Sequence, residues 1–166
     1  MYTLETALPG DVELCYSIID DARRFQREQG SIQWTDDYPS IETIRGDIRE
    51  GKGRVLRADG SIVGYMCVDF SGEPAYQDIR GAWGRDAPHA VIHRMALHRE
   101  RRGIGAADAA FRLAENLCLG EGVRYIRVDT DPLNARMRHI LRKNGFQYRG
   151  TILFQGGDRA AFDKVL

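Results

Sequence analysis

The most constraining feature of this sequence is one segment in which an apolar strand, a basic loop and a helix follow one another directly. Ile92–Leu97 form the strand, Arg99–Arg102 the loop, and Gly103-Ile104-Gly105-Ala106-Ala107 open the helix. The first turn of a helix has unpaired backbone amides and a partial positive charge, which together favour a phosphate. Glycines let the backbone approach a ligand without a Cβ atom in the way. The segment therefore predicts a diphosphate-binding turn, the alternative being a tight turn in which glycine serves packing alone.

Two common phosphate-binding motifs do not fit this segment. A Walker loop needs Gly-Lys-Ser/Thr, which is absent here. The dinucleotide fingerprint needs a third glycine, whereas Gly105 is followed by Ala106 and Ala107. A nucleotide-binding protein is therefore disfavoured.

The hydrophobic periods along the chain predict the order β-α-α-β-β-β-α-β-α-β-β. This order is typical of an α/β (α+β) fold whose mixed sheet carries helices on both faces. The chain of 166 residues has no linker or repeat, so residues 1–166 are expected to form a single domain. The helices are expected from Asp11 to Gly30, from Ser40 to Gly51, over Ala107–Cys118, and from Asp131-Pro132 to Asn144. The strands are expected at Tyr2–Ala7, Arg54–Ala58, Ser61–Phe70, Ala90–Leu97, Tyr125–Val128, Phe146–Tyr148 and Ala160–Lys164, with a hairpin turn at Asp59-Gly60.

Composition excludes several classes of protein. The 24 Lys and Arg balance 24 Asp and Glu, which argues against a nucleic-acid binder. No apolar run approaches the ~18 residues of a membrane span, and no signal peptide is visible, so a cytoplasmic protein is expected. Cys15, Cys67 and Cys118 are far apart in apolar segments, which predicts buried thiols and no metal site.

Two motifs carry a resemblance to a known family. Arg102-Gly103-Ile104-Gly105-Ala106-Ala107 resembles the R/Q-x-x-G-x-G/A signature of the GNAT superfamily of acyl-CoA N-acyltransferases, and Ile92–Leu97 is similar to that family's fourth strand. Downstream, Asn134 with the segment Leu141–Phe146 resembles the family's Asn…Tyr-x-x-x-Gly-Phe pattern. The resemblance extends from about Leu4 to Lys164. It implies a mostly antiparallel sheet of about seven strands, flanked by about four helices.

The resemblance also implies an activity, the transfer of an acetyl group from acetyl-CoA to an amine without a metal. The thioester would lie where the strands Val91–Leu97 and Tyr125–Asp129 splay apart, and the main chain of Met95 and Leu97 would pair with the pantetheine arm. Asn134 would form a hydrogen bond with the pantetheine or hold the edge of the strand Tyr125–Asp129. The cofactor-binding residues implied are Met95, Ala96, Leu97, Arg101, Arg102, Gly103, Ile104, Gly105, Ala106, Ala107, Asp108 and Asn134.

His93 is the candidate general base, because the acceptor nitrogen must lose a proton and an unperturbed histidine titrates near pH ~6.5. Strand alternation places His93 on one face with Met95 and Leu97, and Ile92 and Arg94 on the other. A histidine hydrogen-bonded within the sheet is the alternative.

The family's acid-donating Tyr is replaced here by Leu141. His139 is about 200° round the helix from that position and cannot take its place, whereas Tyr148 is a candidate. The pKa of a CoA thiol resembles that of cysteine, ~8.5, so its thiolate is a tolerable leaving group. Direct attack in a ternary complex is therefore expected, with no covalent cysteine intermediate.

Aromatic residues outside the helix cores indicate an acceptor pocket, since aromatic rings suit an organic cation. The candidates are Gln33, Trp34, Tyr38, Tyr76 and Trp83. Packing of one loop on another is the alternative for Trp34 and Trp83. The expected acceptor is a primary amine of a small molecule or peptide, with neither nucleic acid nor membrane as partner, and a homodimer is compatible with the sequence. A non-catalytic module that binds acyl-CoA is the second hypothesis.

Overall fold

The hydrophobic periods of the chain form four α-helices and eight strands in the computed structural model, which describes residues 1–166. The helices are α1 (Val12–Glu28), α2 (Ile41–Arg49), α3 (Ala106–Gly120) and α4 (Ala135–Lys143). The strands are β1 (Tyr2–Thr6), β2 (Gly53–Ala58), β3 (Ser61–Asp69), β4 (Arg80–Gly81), β5 (Ala90–Leu97), β6 (Tyr125–Thr130), β7 (Gln147–Phe154) and β8 (Gly157–Val165). None of the helices combines the length and hydropathy that crossing a bilayer requires.

All strands belong to one sheet, in the order β1-β2-β3-β5-β6-β8-β7-β4. Every neighbouring pair is antiparallel except β5 and β6, which confirms the expected mixed, mostly antiparallel fold. The eighth strand is β4, whose two residues are too few to show a hydrophobic period. It lies against β7 because Gly81 and Gly150 face each other: a Cβ atom on Gly150 would stand 2.1 Å from the carbonyl oxygen of Arg80.

The sheet has a hydrophobic core on each face. Helices α1 and α2 bury their apolar stripes on one face, in a cluster that includes Cys15, Ile18, Ile19, Ile44, Ile48, Tyr65 and Ala96. Helices α3 and α4 cover the other face, in a cluster that includes Ala110, Phe111, Ala114, Ile92, Ile126, Leu141 and Phe162. The three cysteines are free and buried as expected, and burial raises the pKa of Cys15 and Cys67 to about 12 and that of Cys118 to about 11.

Local signals in the sequence mark several boundaries correctly. Ser40 caps α2, since its Oγ accepts a hydrogen bond from the amide of Thr43 at 3.1 Å. The Asp59-Gly60 turn has positive φ at both residues, 51° and 81°, as a type I′ hairpin requires. The expected start of the last helix at Asp131-Pro132 is wrong. Helix α4 begins after Asn134, whose Oδ1 accepts from the amide of Met137 at 3.0 Å.

Strand β5 departs from simple alternation at Arg94. This residue has a positive φ of 51°, and the pairing of β5 with β3 shifts register there, which marks a β-bulge. The expectation that Met95 and Leu97 share a face with His93 is therefore wrong. Both pack with Ile92 in the core under α3, while Ala96 packs under α1.

Candidate active site

The sheet opens between its two parallel strands. Strands β5 and β6 pair only at Ala90 with Ile126 and at Val91 with Arg127, and then they diverge. The edge of β5 after Val91 therefore has no partner strand on the β6 side. A backbone edge of this kind offers donors and acceptors to an extended ligand.

A cleft of about 360 Å³ begins at this opening and runs to the start of α3. Its lining includes nine of the twelve expected cofactor-binding residues: Met95, Ala96, Leu97, Arg102, Gly103, Gly105, Ala107, Asp108 and Asn134. The other three lie outside the lining. Ile104 is exposed, Ala106 is fully buried, and Arg101 is half-buried.

The turn before α3 has a row of free backbone amides, and four of their residues, Gly103, Gly105, Ala107 and Asp108, line the cleft. Gly103 and Gly105 have positive φ, 79° and 86°, which is unfavourable for any residue with a side chain. None of the six amides from Gly103 to Asp108 donates a hydrogen bond to another protein group. The helix has no side-chain cap, since its N-cap is Gly105. Six free donors at the positive end of a helix match the diphosphate site that the sequence predicts.

Basic side chains surround this turn. Arg102 is held by Asp21 at 2.9 Å, and its guanidinium lies 4.5 Å from the Phe25 ring centroid. Lys143 pairs with Asp108 at 2.6 Å. Arg136, which forms no ion pair, and His139 also line the cleft.

Residues of α1 and α4 are the part of the cleft that sequence reasoning missed. The basic face of α4, with Arg136 and Lys143, was a visible signal, whereas nothing in α1 distinguished Phe25 and Gln26. Gln26 is notable because it lines both this cleft and a second cavity. Its Oε1 is buried and has no hydrogen-bond partner.

The second cavity, of about 70 Å³, lies deeper between β5 and β6 and shares Met95, Asn134 and Met137 with the cleft. Four of the predicted catalytic and acceptor residues line it: Gln33, Trp34, Tyr38 and His93. Tyr76 and Trp83 do not. Their rings pack together with centroids 5.2 Å apart, and Trp83 Nε1 donates to the carbonyl oxygen of Tyr76 at 2.8 Å.

His93 lies in the wall of this second cavity. Its side chain is stacked on Phe154 and only 9% exposed. Its side chain forms no hydrogen bond within the sheet, and Glu73 Oε2, the carboxylate within ion-pair distance, is 3.9 Å from Nε2. Burial, helped by the charge of Arg94, lowers the pKa of His93 to about 4. The imidazole is therefore neutral at pH 7.

Asp129 lines the same cavity from β6 and was not among the sequence candidates. Its Oδ2 accepts a hydrogen bond from the hydroxyl of Tyr76 at 2.6 Å. Burial raises the pKa of Asp129 to about 6, although the Tyr76 hydrogen bond acts in the opposite direction. The sequence held no signal for this pair, whose members are 53 residues apart.

Arg94 also lines the second cavity, where a buried network fixes its side chain. Its Nε and Nη2 donate to the two carboxylate oxygens of Asp47 at 2.8 and 2.6 Å, and its Nη1 donates to the hydroxyl of Tyr38 at 2.9 Å. Tyr65 donates to Asp47 as well, at 2.7 Å. The network joins α2 to the bulge in β5 and places Tyr38 at the cavity.

The remaining candidates lie elsewhere. Tyr148 is half exposed, packs edge-on against Phe162, and lines neither cavity. Leu141 is buried in the core under α4. None of the three cysteines lines either cavity.

Comparison with known proteins agrees with this geometry. Residues 16–146 match the family described as Acetyltransferase (GNAT) family, so the chain belongs to this family. A GNAT-family acetyltransferase structure from Streptococcus agalactiae is 31% identical over 99% of this chain and 95% of that chain, with a TM-score of 0.90. One from Listeria monocytogenes is 23% identical over 99% and 95%, with a TM-score of 0.78.

A more distant structure extends the comparison. The aminoglycoside acetyltransferase AAC(6')-Ib, solved in complex with coenzyme A, is 18% identical over 99% of this chain and 95% of that chain, with a TM-score of 0.73. Another structure of AAC(6')-Ib contains ribostamycin and coenzyme A. Identities this low establish a shared fold. A search of curated protein sequences found no match.

Proposed function

We propose that this chain transfers an acetyl group from acetyl-CoA to a primary amine by direct attack in a ternary complex. The observation that carries the proposal is the row of six free amides from Gly103 to Asp108, at one end of a cleft that reaches the small cavity beside His93. A diphosphate at the amides and a thioester at the far end match the two ends of the pantetheine arm of acetyl-CoA.

The unpaired edge of β5 supports the position of the connecting arm. Met95 and Leu97 line the cleft on this edge, so their main chain can pair with the amides of pantetheine. Asn134 lies where the two cavities join, although its Oδ1 is occupied as the cap of α4. Relatives that share the fold bind coenzyme A, as AAC(6')-Ib does.

In the proposed reaction the acceptor nitrogen enters the second cavity, between the aromatic side chains of Trp34 and Tyr38, and attacks the thioester carbon. His93 is neutral at pH 7 and lies in this cavity, so its imidazole is free to accept a hydrogen bond from the attacking nitrogen. Tyr148 has no part in the proposal, because it lies outside the cavity. The CoA thiolate leaves without a protein acid and is protonated by water.

A binding module without catalysis is the second candidate. It is favoured by Leu141, a buried apolar residue at the position where the family has its acid-donating tyrosine. The one tyrosine that lines the second cavity is Tyr38, and its hydroxyl is already bonded to Arg94.

Two measurements test the proposal. Acetyl-CoA at about 100 times its dissociation constant adds about 2.7 kcal/mol of stability, which for a chain of this size raises Tm by about 8 °C. ATP, as the control, is expected to leave Tm unchanged. Thiol release is then followed over a panel of primary amines. Release above hydrolysis supports the enzyme, stabilisation without release supports the module, and stabilisation by ATP alone contradicts both.

A further inference from the structure

The second cavity contains polar groups that acetyl-CoA binding does not require. Asp129 and His93 face the same space from β6 and β5. His93 is nine-tenths buried and makes no hydrogen bond, so its ring nitrogens have no protein partner within the cavity wall. Neither ring nitrogen is among the fully buried atoms that lack a partner, so both are accessible to a ligand in the cavity. The cavity therefore points to a polar ligand beside Asp129.

The charged groups around Asp129 indicate whether that ligand is a cation or an anion. Glu73 and Tyr76 face it from the segment 73–78, Arg159 from β8, and neutral His93 from β5. Arg94 is neutralised by its two hydrogen bonds to Asp47. Asp129 itself is affected by one further carboxylate, Glu73, and by one guanidinium, that of Arg159, whereas Arg127 acts on the Tyr76 hydroxyl. Two carboxylates and one guanidinium at Asp129 favour a cationic ligand there.

We propose that Asp129, positioned by Tyr76, is a catalytic residue that binds the acceptor as a compact alkylammonium ion and removes its proton. This inference rests on the proposed acetyl transfer. The cavity of about 70 Å³, with Trp34 and Tyr38 in its walls, admits the ammonium end of the acceptor while the rest of it lies outside. Aromatic faces add attraction for such a cation.

The chemical step balances as follows. One proton of the ammonium passes to Asp129, and the nitrogen lone pair forms a bond to the thioester carbon. The C–S bond breaks, and its electron pair leaves with sulfur as the CoA thiolate. The thiolate takes up the second nitrogen proton through water, and Asp129 returns the first proton to solvent. Tyr76, whose hydroxyl donates to Oδ2, leaves Oδ1 free for the nitrogen.

The geometry favours Asp129 over His93 for this proton. The carboxylate of Asp129 carries a negative charge, so the same group attracts the ammonium ion and accepts its proton. Burial makes the carboxyl a stronger base than usual and the imidazole a weaker one, with pKa values of about 6 and about 4.

The test compares the pH dependence of kcat/KM in four proteins. Asp129→Asn is expected to lower kcat/KM by ~10²–10⁴-fold, with the Kd of CoA changed less than twofold. Wild-type kcat/KM is expected to fall below about pH 6 as Asp129 is protonated. Tyr76→Phe moves this acid limb to higher pH, because the lost hydrogen bond favoured the carboxylate. His93→Gln retains the limb, and Asp158→Asn, an exposed carboxylate that lines neither cavity, behaves as wild type.

A binding measurement separates this inference from the proposed function. Butylammonium titrated into the CoA complex at pH 7 is expected to bind at least tenfold more weakly to Asp129→Asn than to wild type. Binding that depends on Asp129, without turnover of any amine, overturns the acetyl transfer and retains the cation site. Full activity of Asp129→Asn, or an acid limb that persists in it and disappears in His93→Gln, overturns the role of Asp129.

Discussion

The buried carboxylate of Asp47 provides a test of how this fold holds the wall of the second cavity. It accepts three hydrogen bonds, one from Tyr65 and two from Arg94, at 2.6–2.8 Å. Asp47→Asn keeps the shape of the side chain but removes its charge. Arg94 is then left buried at a strained backbone position with no counter-ion, because its only other side-chain partner is the neutral hydroxyl of Tyr38.

The expected loss can be worked out from this geometry. Breaking one side of a buried ion pair costs about 3–5 kcal/mol, because the remaining charge stays desolvated. At about 2.1 cal/mol/K per residue, a chain of 166 residues unfolds with an entropy of about 350 cal/mol/K. Each kcal/mol then corresponds to about 3 °C, so Tm is expected to fall by about 9–14 °C.

Thermal unfolding followed by far-UV circular dichroism measures this change, and urea unfolding gives the free energy. Asp158→Asn is the matched control. Its pair with Arg80 is exposed on both sides, 57% and 71%, so the loss should stay below about 1 kcal/mol. Replacing both buried partners, by Asp47→Leu with Arg94→Met, should recover part of the stability. A fall in Tm of less than 3 °C in Asp47→Asn would refute the reasoning.

Three further predictions concern the cofactor, the pH dependence of stability and the sheet edge. Gln26→Leu should weaken CoA binding several-fold with little loss of stability, because the buried Oε1 has no protein partner and is available to the ligand. Calorimetric titration measures the Kd of CoA, and an unchanged Kd contradicts the prediction. In wild type, the folded pKa of His93 is lowered, so the contribution of His93 to the free energy of unfolding falls as the pH drops from 6.5 to 4. The folded pKa of Asp129 is raised, so its contribution rises by a similar amount over the same range. Asp129→Asn removes the second contribution, so from pH 7 to pH 4 its free energy of unfolding by urea should fall by about 2 kcal/mol more than that of wild type, and parallel profiles are the contrary result. Gly150→Ala should destabilise the protein by more than Gly156→Ala, since only the first places a Cβ against backbone; equal melting temperatures contradict this.

Much of the fold could be predicted because each boundary has a local cause. Ser40 and the Asp59-Gly60 turn are fixed by hydrogen bonds and dihedral angles within four residues. The start of α4 was misplaced because two residues competed as caps. Asp131 accepts from Ser31, 100 residues away, and from the amide of Leu133, which fixes the turn before the helix, and Asn134 then caps α4 itself.

The site was predicted less completely than the fold, and for a physical reason. The Gly103–Asp108 turn is a local motif, so its free amides follow from the sequence alone. The bulge at Arg94 depends on Asp47 in α2, and the Asp129–Tyr76 pair depends on the packing of a loop against β6. Contacts between distant segments carry no periodic signal, so the face of Met95 was assigned wrongly and Asp129 was missed.

We propose that the amides of Gly103–Asp108 hold the diphosphate of acetyl-CoA, and a crystal structure of the complex provides the test. Diphosphate oxygens are expected within about 3.2 Å of several of these amide nitrogens, with the thioester beside His93 and Asp129. A diphosphate bound away from the turn, with the six amides facing only water, would contradict it.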